Sequence, residues 1–77
     1  MKDKLFDASM EFIRVCDEKL TEEEEKGKIG WDNPDLKDNF KGYIRETSGK
    51  CKLKQKDLVN MANYCMFLWN LIQVEKQ

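Results

Sequence analysis

The sequence predicts an all-α fold: one domain over residues 1–77, three helices with a long first and a buried last one, assembled as a helical homo-oligomer. Three observations carry that expectation. From Asp57 to Val74, Leu58, Met61, Ala62, Cys65, Leu68, Trp69 and Ile72 recur at steps of three and four residues, the repeat of one apolar helical face. Off that stripe, Val59, Met66, Phe67 and Leu71 make more of the circumference apolar than a small monomer buries easily. Finally, 77 residues give a marginal core, which association with further copies would complete.

The first helix is expected from about Asp3 to Leu20. Leu5, Ser9, Phe12, Cys16 and Leu20 form one stripe, widened by Phe6, Met10 and Ile13, and it should pack on the last helix. The run Thr21 to Glu25 either extends this helix or restarts it, with Thr21 as N-cap and Glu24 at the capping-box position. Two glycines and a proline then break it, and Asn33 before Pro34 fits an N-cap followed by proline in the first turn. The second helix should run from Pro34 to about Thr47, with Leu36, Phe40, Tyr43 and Ile44 at helical spacing. Gly42 sits inside it at ~1 kcal/mol relative to alanine, as a close helix crossing or a ligand contact would require. Thr47-Ser48-Gly49 ends that helix. The alternation of Lys50, Lys52, Lys54 and Lys56 has no partner strand, so it reads as an extended connector into the last helix.

Composition excludes several classes. The 15 residues from Leu58 to Ile72, with two asparagines, are too short for the ~20 apolar residues of a membrane span. The N-terminal Met-Lys-Asp-Lys-Leu-Phe-Asp lacks the apolar region of a signal peptide. There is no histidine and no Cys-x-x-Cys spacing, hence no zinc site of the usual kind. Cys16 and Cys65 on apolar faces read as buried thiols of a reducing cytosol. The expectation is a cytoplasmic protein with no membrane partner.

Charge is unevenly distributed beneath a net of −1. Residues 1–25 carry nine acidic and four basic side chains, residues 26–56 four acidic and nine basic. The basic middle can meet an anionic ligand or the acidic helix of a neighbouring subunit. A long nucleic acid is disfavoured, because the acidic first helix would repel it.

The candidate ligand residues follow from this asymmetry. Lys50, Lys52, Lys54 and Lys56 lead into the N-terminus of the last helix, where the helix dipole also favours anions. Asp57, Asn60 and Asn63 fan over about 120° of that helix. Arg45 belongs to a basic stripe on the second helix with Lys37 and Lys41. Trp31, flanked by Lys26 and Lys28, offers a stacking surface beside phosphate-binding charge, or a staple that closes the loop on the core; Tyr64 is the second stacking candidate. The Glu22–Glu25 cluster could take magnesium, although consecutive residues point around a helix rather than converging.

The loop Gly30-Trp31-Asp32 and the run Asp57-Leu-Val-Asn-Met-Ala-Asn63-Tyr-Cys-Met-Phe-Leu-Trp69 resemble a group of small phage-encoded proteins with a Gly-Trp-Asp loop and a Val-Asp-Val-Ala-Asn-Phe-type last helix. Those in turn resemble the all-α, MazG-like nucleoside triphosphate pyrophosphohydrolases. The similarity covers roughly residues 10–72. In the MazG-like family, Glu-Glu-x-x-Glu and Glu-x-x-Asp motifs bind magnesium and the pocket forms in an oligomer. Here only Asp57-x-x-Asn60 stands at the second motif and only Glu46 near the first.

Release of pyrophosphate needs several carboxylates around a divalent ion, and Glu46 with Asp57 are too few. The reading is therefore non-catalytic binding of a nucleotide or cyclic nucleotide without a cofactor; the resemblance further implies viral sequestration of a host signal, an anti-defence role. Phosphates would meet Lys50, Lys52, Lys54, Lys56 and Arg45, and Trp31 or Tyr64 would stack on the base, with Asn60 and Asn63 hydrogen-bonded to it. The alternatives are a degenerate magnesium-dependent hydrolase using Glu46 and Asp57, and an inhibitor that binds a host protein.

Overall fold

A computed structural model describes residues 3–27 and 30–75. The described residues form three α-helices: α1 (Asp3–Glu25), α2 (Lys37–Ser48), entered through a 3-10 turn (Pro34–Leu36), and α3 (Gln55–Glu75). No strand occurs among the described residues, and no helix there is long and apolar enough to cross a membrane.

Helix α1 is continuous through Thr21, so the restart at that residue does not occur. Its glutamates extend it through pairs one turn apart: Lys19 reaches Glu23 at 2.8 Å and Lys26 reaches Glu22 at 3.2 Å. Upstream, Arg14 bridges Glu11 and Glu18 along the exposed face. Gly27 then adopts φ +83°, the left-handed conformation that closes a helix C-terminus, and its N–H donates to the Glu24 carbonyl at 2.9 Å. The entry to α2 follows the sequence expectation. Asn33 Oδ1 accepts the Asp35 N–H at 3.0 Å, and Pro34 occupies the first position, where no N–H is needed.

Helix α3 begins at Gln55, two residues earlier than expected, because Asp57 caps it. The carboxylate accepts the backbone N–H of Lys54 at 3.1 Å and the Lys50 ammonium at 3.2 Å, while the Lys54 carbonyl accepts Leu58 N–H. This is the carboxylate half of a capping box, and it turns the connector directly into a helix.

Helices α2 and α3 run antiparallel. An ion pair joins Lys37 at the start of α2 to Glu75 at the end of α3. Between them lies an aromatic cluster: Tyr43 and Tyr64 have ring centroids 4.3 Å apart, Phe40 stands 5.2 Å from Tyr64 and 5.4 Å from Phe67, and Tyr64 meets Phe67 edge-on at 5.8 Å. Such pairs add about 0.5–1.5 kcal/mol each beyond their buried area. Helix α1 meets α3 where Asn63 donates its amide to the Cys16 carbonyl at 3.3 Å.

The buried side of α3 differs from the expected stripe. Val59, Asn63 and Leu71 are buried, with Phe67 between them, whereas Leu58, Cys65, Trp69 and Ile72 face outward. A helix apolar on most of its circumference can turn any of several faces inward, and the aromatic rings of α2 select this one. Cys65 is consequently exposed, not a buried thiol; Cys16 is half-buried, and burial pushes its thiol pKa up. Helix α1 has no buried residue, and Leu5, Phe6, Met10, Phe12 and Ile13 of its apolar stripe remain exposed. Among the described residues only Phe40, Val59 and Leu71 are buried hydrophobic side chains.

Gly42 is not required by a close approach, since a Cβ built there meets nothing within 4 Å. Replacing it should recover the helix propensity that glycine lacks. Gly42→Ala is expected to stabilise the fold by about 1 kcal/mol, read from the midpoint of urea unfolding at unchanged slope.

Candidate functional site

The aromatic cluster continues to the surface as the wall of a cleft of about 1010 Å³, at the upper end of the ~300–1,000 Å³ typical of small-molecule sites. Its opposite side is the C-terminal half of α1, represented by Lys19, Leu20, Glu23 and Glu24. The turn that follows α1 closes one end. Gly30 at φ +93° makes this turn, with its carbonyl accepting Asn33 N–H at 3.1 Å, and Trp31 and Asp32 lie between those two residues. Trp31 stacks on Phe67 at 5.2 Å with ring planes 21° apart, yet stays 40% exposed. The indole thus staples the loop to α3, as one of its two expected roles requires, and still presents surface to the cleft.

Four of the sequence-predicted ligand residues come together here: Trp31, Asn60, Asn63 and Tyr64 all line the cleft. Asn63 is 7% exposed and gives one amide N–H to the Cys16 carbonyl, which leaves its second N–H and its carbonyl oxygen for other partners. The predicted cations are elsewhere. Lys26 lies at the end of α1 against Glu22. Arg45 lies beside Glu46 at a shallow depression on α2. Lys50 binds Asp57, and Lys52, Lys54 and Lys56 are exposed at the start of α3 without lining the cleft. Lys28 lies outside the described residues.

Sequence reading did not single out Lys19, Tyr43, Phe67 or Asp32 for the site. Tyr43 carried only the periodicity of an apolar face, Phe67 lay off the apolar stripe of the last helix, and Lys19 lay outside the apolar stripe by which the first helix was expected to pack. The Gly30-Trp31-Asp32 run held the one available signal for Asp32. Among the described residues Lys19 is the single basic member of the lining, against Glu23, Glu24 and Asp32. The cleft is therefore aromatic and acidic where the sequence suggested a basic phosphate site.

Magnesium, implied by similarity to the pyrophosphohydrolases, does not fit the donors present. Among the described residues no three acidic, cysteine or histidine side chains gather into a metal-binding group. Both Asp57 oxygens already accept hydrogen bonds, from Lys54 and Lys50, and Glu46 lies at the separate depression on α2.

Comparison with protein-family models, curated proteins and solved structures returns no match. The geometry of the cleft and the chemistry of its lining carry the functional reading.

Asp57 provides a test of the α3 cap. The Lys54 N–H, and after it the Lys50 ammonium, hold its carboxyl below the usual aspartate range. A carboxyl whose folded pKa is depressed contributes its full stabilisation above the unfolded value near 4, and loses it as pH falls through the lower folded value. Stability should thus fall progressively below about pH 4, and Asp57→Asn should flatten that acid limb while lowering the melting temperature at pH 7. Thermal melts of both proteins between pH 2 and 7 measure this difference.

Proposed function

We propose that this protein binds a nucleotide or cyclic nucleotide without cleaving it, as a small helical homo-oligomer. The convergence of Trp31, Asn60, Asn63 and Tyr64 on one aromatic cleft carries the reading. Exposed π-faces accept a planar base, at about 1–3 kcal/mol per stacked base, and the two asparagines supply amide groups at hydrogen-bonding positions. The carboxylates of the lining keep phosphate out of the interior. The base enters and its phosphates remain at the mouth, where the basic residues 26–56 of a neighbouring copy meet them. Tight retention of an intact nucleotide amounts to sequestration, and the phage resemblance casts this as removal of a host signal in the cytoplasm.

Surface area supports the homo-oligomer. The chain exposes 6431 Å², whereas a folded monomer of its 9.2 kDa mass exposes about 4900 Å². The excess of about 1500 Å² per chain is about twice the ~800 Å² that each partner loses in one standard interface, the scale of an obligate contact or of two standard ones. It includes the apolar residues at the start of α1 together with Trp69, Ile72 and Val74 of α3.

Two measurements test these statements. Incubated with a pool of nucleoside triphosphates, cyclic mononucleotides and cyclic oligonucleotides, the protein should deplete one species and return it intact on heat denaturation. Trp31→Ala should weaken that retention by about tenfold to a hundredfold; a pool left whole and unbound, or hydrolysed, would count against the proposal. Sedimentation equilibrium should give a multiple of the chain mass, and Ile13→Glu, which places a charge on the exposed α1 stripe, should shift it toward monomer.

A further inference from the structure

Resting on the nucleotide reading and narrowing it, we infer that the cleft selects guanine, whose donor edge is read by the Asp32 carboxylate while its ring stacks on Trp31. Lys19, the single basic residue among the described residues of the lining, is bound to Glu23 at 2.8 Å. One N–H of the Asn63 amide donates to the Cys16 carbonyl. The acceptors of the described lining include the Asn63 carbonyl and the carboxylates of Glu24 and Asp32, set beside donors on Asn60, Tyr43 and Tyr64; of these acceptors only a carboxylate offers two oxygens side by side. When ionised it only accepts hydrogen bonds.

The bases differ in what they offer to such a group. Guanine places a ring N–H and an exocyclic amine next to each other on its pairing edge, two parallel donors that match the two oxygens. Adenine and cytosine set a ring acceptor beside their single amine, and uracil flanks its one N–H with two carbonyls. Each of those three turns at least one lone pair toward the carboxylate, and an unpaired or opposed polar group in a partly enclosed site lowers affinity.

Placement favours Asp32 as the reader. It follows Trp31 in the turn that Gly30 and Asn33 close, so the stacking ring and the carboxylate are carried by one short, hydrogen-bonded segment. Its side chain forms no ion pair or hydrogen bond among the described residues, so changing it disturbs no described contact. Glu24 lies across the cleft on α1 and raises the negative potential without sharing that segment.

Calorimetric titration of the full-length protein with GMP, IMP, AMP, CMP and UMP, and with the cyclic dinucleotides of guanine and of adenine, tests this. The guanine ligands should bind about tenfold to a hundredfold more tightly than their adenine counterparts, as hydrogen bonds to a charged acceptor imply. IMP, which lacks the exocyclic amine, should fall between GMP and AMP. Asp32→Asn should abolish the preference with an unchanged circular dichroism spectrum, and Glu24→Gln should retain it. Adenine or pyrimidine ligands binding as tightly as guanine would overturn the inference and leave the nucleotide reading standing. A preference that survives Asp32→Asn, or is lost in Glu24→Gln instead, would overturn the role given to Asp32. Binding of no ligand in the set would overturn both readings.

Discussion

Phe40 and Tyr43 of α2 pack against Tyr64 and Phe67 of α3 with ring centroids 4.3–5.4 Å apart, and the remaining architecture follows from that contact. It determines which face of α3 turns inward and holds the two helices antiparallel. It also supplies the surface on which Trp31 stacks, and so brings the 30–33 turn back onto the domain. Rings suit this role in so short a chain. Each removes a large apolar area from water, and tilted or edge-on neighbours gain a further electrostatic term that aliphatic side chains lack. The same rings reach the surface at the cleft, so the packing that stabilises the fold also forms the wall offered to a ligand.

Local polar contacts, not burial, organise the ends of the helices. Asp57 draws the Lys54 N–H and the Lys50 ammonium onto one carboxylate and nucleates α3, while Asn33 does the corresponding work for the turn into α2. The Asp57 cap explains why a lysine-rich connector lies beside a helix N-terminus without forming an open anion site. The chain's own carboxylate occupies the position that an external anion would take. Phosphate recognition in the proposed complex therefore depends on the basic segment of a neighbouring copy at the mouth of the cleft, and base recognition on the cleft interior.

Helix α1 remains loosely engaged. It is tied to α3 by the Asn63–Cys16 hydrogen bond and meets the cleft through Lys19, Leu20 and Glu23, while its first half keeps an unpartnered apolar stripe. Within the proposed homo-oligomer that stripe is the natural place for a second copy. The opposite charges of residues 1–25 and 26–56 would then favour contacts in which the acidic helix of one chain approaches the basic segment of another.

The helices and their punctuation were legible in the amino-acid order, because those depend on near neighbours. The 3.6-residue repeat, Asn33-Pro34 and the Gly27–Gly30 break all act within a few residues, and each element appeared within a few residues of its expected limits. The amino-acid order also marked Trp31, Asn60, Asn63 and Tyr64, four of the residues that line the cleft. Only the tertiary structure decided the inward face of α3, since a helix apolar almost all round leaves its rotation to its partner. Only the tertiary structure separated the lysines from the cleft, because adjacency to Asn60 in the chain says nothing about the side of the helix on which a connector leaves. The acidic character of the cleft was hidden for the same reason: Glu24 and Asp32 are distant in sequence from Asn60 and Tyr64, and only the return of α1 and the 30–33 turn across α3 brings their carboxylates to the aromatic wall.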